Sequence, residues 1–182
     1  MEYAKAMIPS EPEKVMIQNL TQLYHEQLRD IYSAENQLIE SLPKIVGLAD
    51  NERLSDAVSK HLDETLAQRE RLDRIFTKHG IQCVGEECQA MRGLIKEANS
   101  HIEKTEPGPL RDAVIIASAN RIEHYEIAAY GVARAFAECL DLDEDAELLD
   151  ESIAEEGAAD RKLTEIATGS LFHDGLNEKA AN

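Results

Sequence analysis

Acidic side chains recur in this sequence where a buried helix face should be apolar, and this is its most informative chemical pattern. Along one helical stripe, Ile31, Leu38 and Leu42 are interrupted by Glu35; along a second, Val58 and Leu72 are bridged by His61, Glu64 with Thr65, and Gln68. A third stripe runs Ile116, Ala119, Glu123, Glu126, Tyr130 and Ala133, and a fourth Leu149, Ile153, Glu156, Asp160 and Leu163. A helix returns to the same face every three or four residues, so each of four segments carries a carboxylate near mid-length on its inward side. Burying an unpaired carboxylate costs several kcal/mol, and almost no Lys or Arg lies on these stripes to offset it. A pair of divalent or trivalent metal ions would supply the missing charge. An oxygen-rich donor set with open positions suits iron or manganese better than zinc.

The spacing strengthens this reading. Glu35 and Glu64 stand 29 residues apart and Glu126 and Glu156 stand 30 apart, as if two equivalent helical hairpins each brought two glutamates to one height. Glu123 and Glu126 are three apart on one helix face; Glu64 and Gln68, like Glu156 and Asp160, are four apart. A single glutamate in a stripe is more often a boundary residue reaching solvent, but four helices agreeing in level is not what chance produces. Within the set, His61 is open between a metal ligand, a hydrogen-bond partner of a ligand and a plain core histidine. Gln68 and Asp160 are open between ligand, ligand support and bundle-end group. His124 turns away from Glu123, and Glu151 and Glu155 fall on a solvated face. Tyr32 and Tyr130 read as core packing whose phenols are able to donate to a ligand carboxylate.

The elements that must position these residues are all helical, since no alternating stretch suggests a strand. The first long helix should run from about Val15 into the forties, kinked or restarted at Pro43. A second carries Leu54 to Phe76 and is capped by His79-Gly80. Residues 81 to 108 make a long connection with a helical middle, CQAMRGLIKEANSHIEK. A third long helix runs from Leu110 to about Leu140 after Pro107-Gly108-Pro109, Asp141 to Asp145 turn the chain, and a fourth spans about Glu144 to Ser170. Two hairpins joined by one long crossover give an all-α, single-crossover four-helix bundle with a short extra helix in the crossover. The expected divisions are a flexible arm over 1–14, one bundle domain over 15–170 and a frayed tail over 171–182.

Composition limits the function. The chain has 182 residues, 19 Lys and Arg against 36 Asp and Glu, and a formal net charge of −17. With 43% hydrophobic and 30% charged residues it has enough apolar material for one packed domain. So large a negative charge is repelled by phosphate backbones and anionic lipid, which excludes general nucleic-acid and membrane-surface binding. Neither a secretory leader nor an apolar run of membrane-spanning length is present, which points to a cytoplasmic protein. Cys83, Cys88 and Cys139 are expected to be free thiols, since the count is odd and there is no CxxC pair.

Five segments resemble the ferritin-like YciE/YciF group of stress-associated bacterial proteins: DIYSAENQL around Glu35, HLDETLAQRERLD around Glu64, CQAMRGLIKEA in the crossover, RIEHYEIAAYG around Glu123 and Glu126, and EEGAADRKLTEIA around Glu156. The resemblance covers nearly everything after the first fifteen residues. More distantly, the ExxE of the third helix followed by Glu156 is similar to the rubrerythrin pattern. That likeness implies a di-iron centre with Glu35, Glu64, Glu123, Glu126 and Glu156 as ligands. Two positions depart from it: Ala67 stands where second helices of the wider group place a histidine, and Asp160 where fourth helices of the rubrerythrin type do. A histidine-poor site is harder and more anionic, which favours Fe(III) or manganese and lowers the redox potential.

Two functions fit. One is a dinuclear iron or manganese protein that reduces peroxide or oxygen, or oxidises iron, in a stress response, with Glu123 as the movable ligand. The other is a non-catalytic stress or assembly module that self-associates, a homodimer being favoured, through a face such as Met91, Leu94 and Ile95, residues that are open between such a face and a simple cap on the bundle.

Overall fold

Asparagine, cysteine and glycine set the helix starts in the computed structural model, which describes residues 16–170 and 173–181. The Asn19 side chain accepts the Gln22 amide to open α1, Leu20–Leu48, and Asn51 does the same through Leu54 for α2, Glu52–His79. Gly80 ends α2 at φ 63°, a left-handed conformation that glycine adopts without steric cost. The Cys88 sulfur accepts the Met91 amide at the start of α3, Gln89–Ile102. Gly108 with Pro109 at the first helical position starts α4, Pro109–Cys139. After a three-residue turn, α5, Asp143–Thr168, begins with Asp143, Glu144 and Asp145, whose negative charge suits a helix amino terminus.

The longest contacts join α1 to α2 and α4 to α5; α1 with α4 and α2 with α5 close the bundle, and α3 lies on α4 and α1. The expected all-α four-helix bundle with a helical crossover is what forms. Its core is divided. Tyr24, Leu28, Ile31, Leu72, Ile75, Tyr130 and Leu149 belong to one apolar cluster. Leu38, Leu42, Leu54, Val58, Ile115, Ile116 and Leu163 belong to another. Between the two in helix register lie Glu35, His61, Thr65, Gln68, Glu123, Glu126, Ser152 and Glu156, all buried. A polar belt thus crosses the bundle at mid-height.

Four expectations need correction. Helix α1 starts at Leu20, later than the expected start near Val15, which itself lies outside the described residues, and it does not restart at Pro43 but runs through it to Leu48. The one amide that proline lacks is outweighed by the packing of Leu38, Leu42 and Ile45 on the core. Among the described residues, the carboxyl-terminal segment is not a frayed tail. Gly169–Ser170 and His173–Asp174 pair as a two-residue antiparallel ladder, and α6, Leu176–Ala180, packs on α4 and α5 with Leu176 in the core. A Cβ on Gly175 would lie 2.6 Å from the Ala167 carbonyl oxygen, so only glycine fits that close approach. Lastly, Met91 is fully buried and Ile95 packs on the core, with Leu94 half-buried beside them, so Met91 and Ile95 cap the bundle and do not present a self-association face. The arm over 1–14 lies outside the described residues.

Candidate metal centre

Four helices deliver the belt. Helix α1 contributes Glu35, α2 His61 and Gln68, α4 Glu123 and Glu126, and α5 Glu156, each of them buried. One donor atom from each of His61, Glu123, Glu126 and Glu156 lies within 4.8 Å of the others, a spacing that suits ligation of a common ion. The His61 Nε2 is 3.6 Å from Glu123 Oε1, and its Nδ1 is 4.0 Å from Glu156. Glu35 lies outside this four-atom group but close enough for its charge to act on Glu126.

Protein donors satisfy little of this set. The Tyr130 phenol donates to Glu35 at 2.5 Å, and the Gln68 amide donates to Glu156. Glu35 Oε2, Glu123 Oε2, Glu156 Oε2, both Glu126 oxygens and both His61 nitrogens are buried without a hydrogen-bond partner. Buried polar groups are normally paired, and seven unpaired atoms converging from four helices are an exception that calls for a cause. Electrostatics agree. Burial, then its contact with Glu156, pushes the Glu123 carboxyl up to about 11. Burial raises Glu126 well above the usual range, and the charges of Glu156, Glu35 and Glu123 raise it further. Glu35 is raised by burial and by Glu156, against the lowering effect of the Tyr130 bond. Cations would reverse each of these penalties and fill the unpaired lone pairs, so the donor set fits a carboxylate-rich metal centre.

The remaining sequence candidates stand further out. Glu64 is 18% exposed and pairs with Lys60, at the rim of the cluster. Asp160, 21% exposed, lies 3.4 Å from the exposed His124. Gln68 is inside but donates to Glu156 and, at 3.2 Å, to Glu155. Glu155 is not the solvated residue expected: Arg71 grips it with two bonds of 2.7 and 2.6 Å. The chain Arg71, Glu155, Gln68, Glu156 therefore fixes one carboxylate of the centre. Tyr32 packs edge-on against Phe76 instead of reaching the belt.

Sequence reading missed a group beside Glu126. The Tyr125 phenol donates to Asp30 at 2.7 Å and lies 3.0 Å from the Cys88 sulfur, tying the start of α3 to α1 and α4. The signal was Tyr125 within EHYEIAAYG, but its partners are 95 and 37 residues distant. All three cysteines are free, as expected.

A family model described as a domain of unknown function, DUF892, matches residues 19–180. Protein YciF of Escherichia coli (strain K12) is 44% identical over 156 residues, spanning 85% of this chain and 91% of the relative. The crystal structure of the E. coli stress protein YciF superposes with a TM-score of 0.79 at 43% identity, over 82% of this chain and 94% of that one. YcfI from Rhodopseudomonas palustris, described as a candidate structural protein, gives 0.80 at 42% identity over 85% and 97%. A protein from Xanthomonas campestris pv. campestris shares only the fold, at 16% identity and a TM-score of 0.64 over 81% and 89%. No helix among the described residues is long and apolar enough to cross a membrane.

Proposed function

The chain belongs to the YciF-like DUF892 family, whose description assigns no activity, and from the belt we propose that it is a dinuclear metal protein of the stress response. Glu35, His61, Glu123, Glu126 and Glu156 hold the ions, with Glu64 and Asp160 at the rim and Gln68 orienting Glu156. The observation that carries this reading is the seven buried, unpartnered donor atoms. Two iron or manganese ions would supply one-electron steps to a small oxidant, peroxide or oxygen. The protein's own groups do the rest. Tyr130 holds one oxygen of Glu35 and leaves the other free, Arg71 locks the Glu155 and Gln68 support of Glu156, and the two flanking apolar clusters keep bulk water from the belt. The proposed setting is a cytoplasmic homodimer.

Reconstitution with Fe(II) or Mn(II), followed by elemental analysis, tests the reading. About two ions per chain are expected, with accelerated peroxide consumption, and Glu126→Ala should abolish both. Fewer than one bound ion, or a folded Glu126→Ala protein that binds metal like the parent, sinks it. The description of the R. palustris relative favours a second reading, a structural module in which metal only ties the helices together. In that case metal raises the melting temperature while peroxide consumption stays at background.

A further inference from the structure

On the Leu38 side of the belt the bundle is not filled. A cavity of about 90 Å³ lies among α1 to α5, reaching from Leu42, Ile115 and Leu163 to His61 and Glu123. Along α4 its wall extends from Ile115 to Glu123, roughly 12 Å at the rise of a helix. Protein interiors rarely keep voids larger than a water molecule, because closing them gains contacts and stability. Here the space is kept open by small residues, among them Ala57, Ala98 and Ala119, at positions where a leucine would fill it. Its walls are mainly aliphatic, so it does not hold ordered water well. Ser41, Lys60, Glu64, Asn99 and Lys162 also line it but each already has a hydrogen-bond or ion-pair partner; Ser118, 7% exposed, lines the cavity with its hydroxyl oxygen buried and unpartnered. The elongated, mainly apolar space, the unpartnered hydroxyl and a polar end at the carboxylate belt together describe a ligand with a chain and a neutral head.

We propose that this cavity binds a linear aliphatic molecule with an uncharged polar head, its chain between Leu42, Ile115 and Leu163 and its head beside His61 and Glu123. A carboxylate head is disfavoured because its charge would leave water in a mainly aliphatic space, and the two ammonium groups in the lining, Lys60 and Lys162, are already paired with Glu64 and Glu165. The proposal goes beyond the metal reading and does not depend on it, since the cavity walls belong to the fold.

Titration of the metal-free full chain with alcohols from butanol to octanol tests it, followed by calorimetry and by methyl NMR of leucine and isoleucine. Saturable one-to-one binding is expected, tightening about fourfold per added methylene, the ratio given by about 0.8 kcal/mol per buried CH₂. Shifts should be confined to methyls such as Leu42, Ile115 and Leu163, and octanoate should bind at least tenfold more weakly than octanol. Ala119→Phe should fill the space and weaken octanol at least tenfold while helix content stays unchanged; if that variant does not fold, Ala57→Leu serves the same purpose. Glu126→Gln should keep octanol binding, so that loss of metal and loss of chain binding are read separately. No saturable binding, binding indifferent to the filling variants, shifts centred on Leu28 or Leu149, or octanoate equal to octanol would each overturn the proposal.

Discussion

Asp145 and Glu126 are buried to the same degree, at 0% and 1% exposure, and the bundle treats them in opposite ways. Asp145, in the first turn of α5, receives the Tyr24 phenol at 3.0 Å, the Lys78 ammonium at 3.0 Å and the His79 ring at 2.6 Å. Burial alone would raise its carboxyl, but those three donors outweigh it and hold Asp145 below the usual carboxylate range. Glu126 receives no hydrogen bond, and burial with three neighbouring glutamates pushes it far up. The same fold can therefore saturate a buried acid when its role is to join helix ends. That it leaves four acids at mid-height largely unsaturated is the contrast on which the metal reading stands.

The strongest challenge to this contrast is removal of the saturated acid. Asp145→Ala leaves the buried Tyr24 phenol and the His79 ring without their carboxylate, while Lys78 keeps Glu144, and a loss of about 3 kcal/mol is expected in urea unfolding. A change under about 1 kcal/mol would mean that the two sites are not energetically different.

The pH dependence of the metal-free chain should separate the sites by sign. Glu123, Glu126 and Glu35 have raised carboxyls, so the folded chain holds protons that the unfolded chain releases. Their contribution is complete below the ordinary glutamate range near pH 4.5 and is lost as pH rises toward about 11 for Glu123. Each such proton gives a slope of about 1.4 kcal/mol per pH unit. Asp145 works the other way: its contribution is present above its unfolded value of 3.8 and disappears as acid titrates through its lower folded value. Urea midpoints measured from pH 5 to 9 should fall in the metal-free chain and flatten after metal loading; a rise in the metal-free chain would contradict the assignment.

The smallest effect is the most discriminating. Glu126→Gln exchanges a protonated acid for a neutral isostere, so metal-free stability should change by no more than about 1 kcal/mol, or increase. Thermal unfolding of variant and parent side by side checks it. A loss as large as that of Asp145→Ala would show that Glu126 is already satisfied.

Periodicity revealed the belt because a carboxylate in an apolar stripe is visible without coordinates, and Glu35, Glu123, Glu126 and Glu156 are buried where their stripes place them. It could not resolve the edge of a stripe. On α2 the inward line passes through His61, Thr65 and Gln68, and Glu64, one residue from Thr65, is rotated about 100° to the rim. Asp145 was invisible for a different reason. An acid in the first turn of a helix is ordinary on the surface, and its Tyr24 donor lies 121 residues away. The docking of α6 depends likewise on a contact between Gly175 and Ala167 that leaves no periodic trace.

The distribution of the belt between hairpins has a kinetic consequence. Glu123, Glu126 and Glu156 all belong to α4 and α5, whereas α1 and α2 bring Glu35 and His61. The second hairpin must therefore zip up against repulsion among its own acids, while the first meets that field only on docking. Because hairpins form from local contacts before distant ones, α1–α2 is placed as the early nucleus, and the refolding arm of a chevron would report the ionisation of its partner.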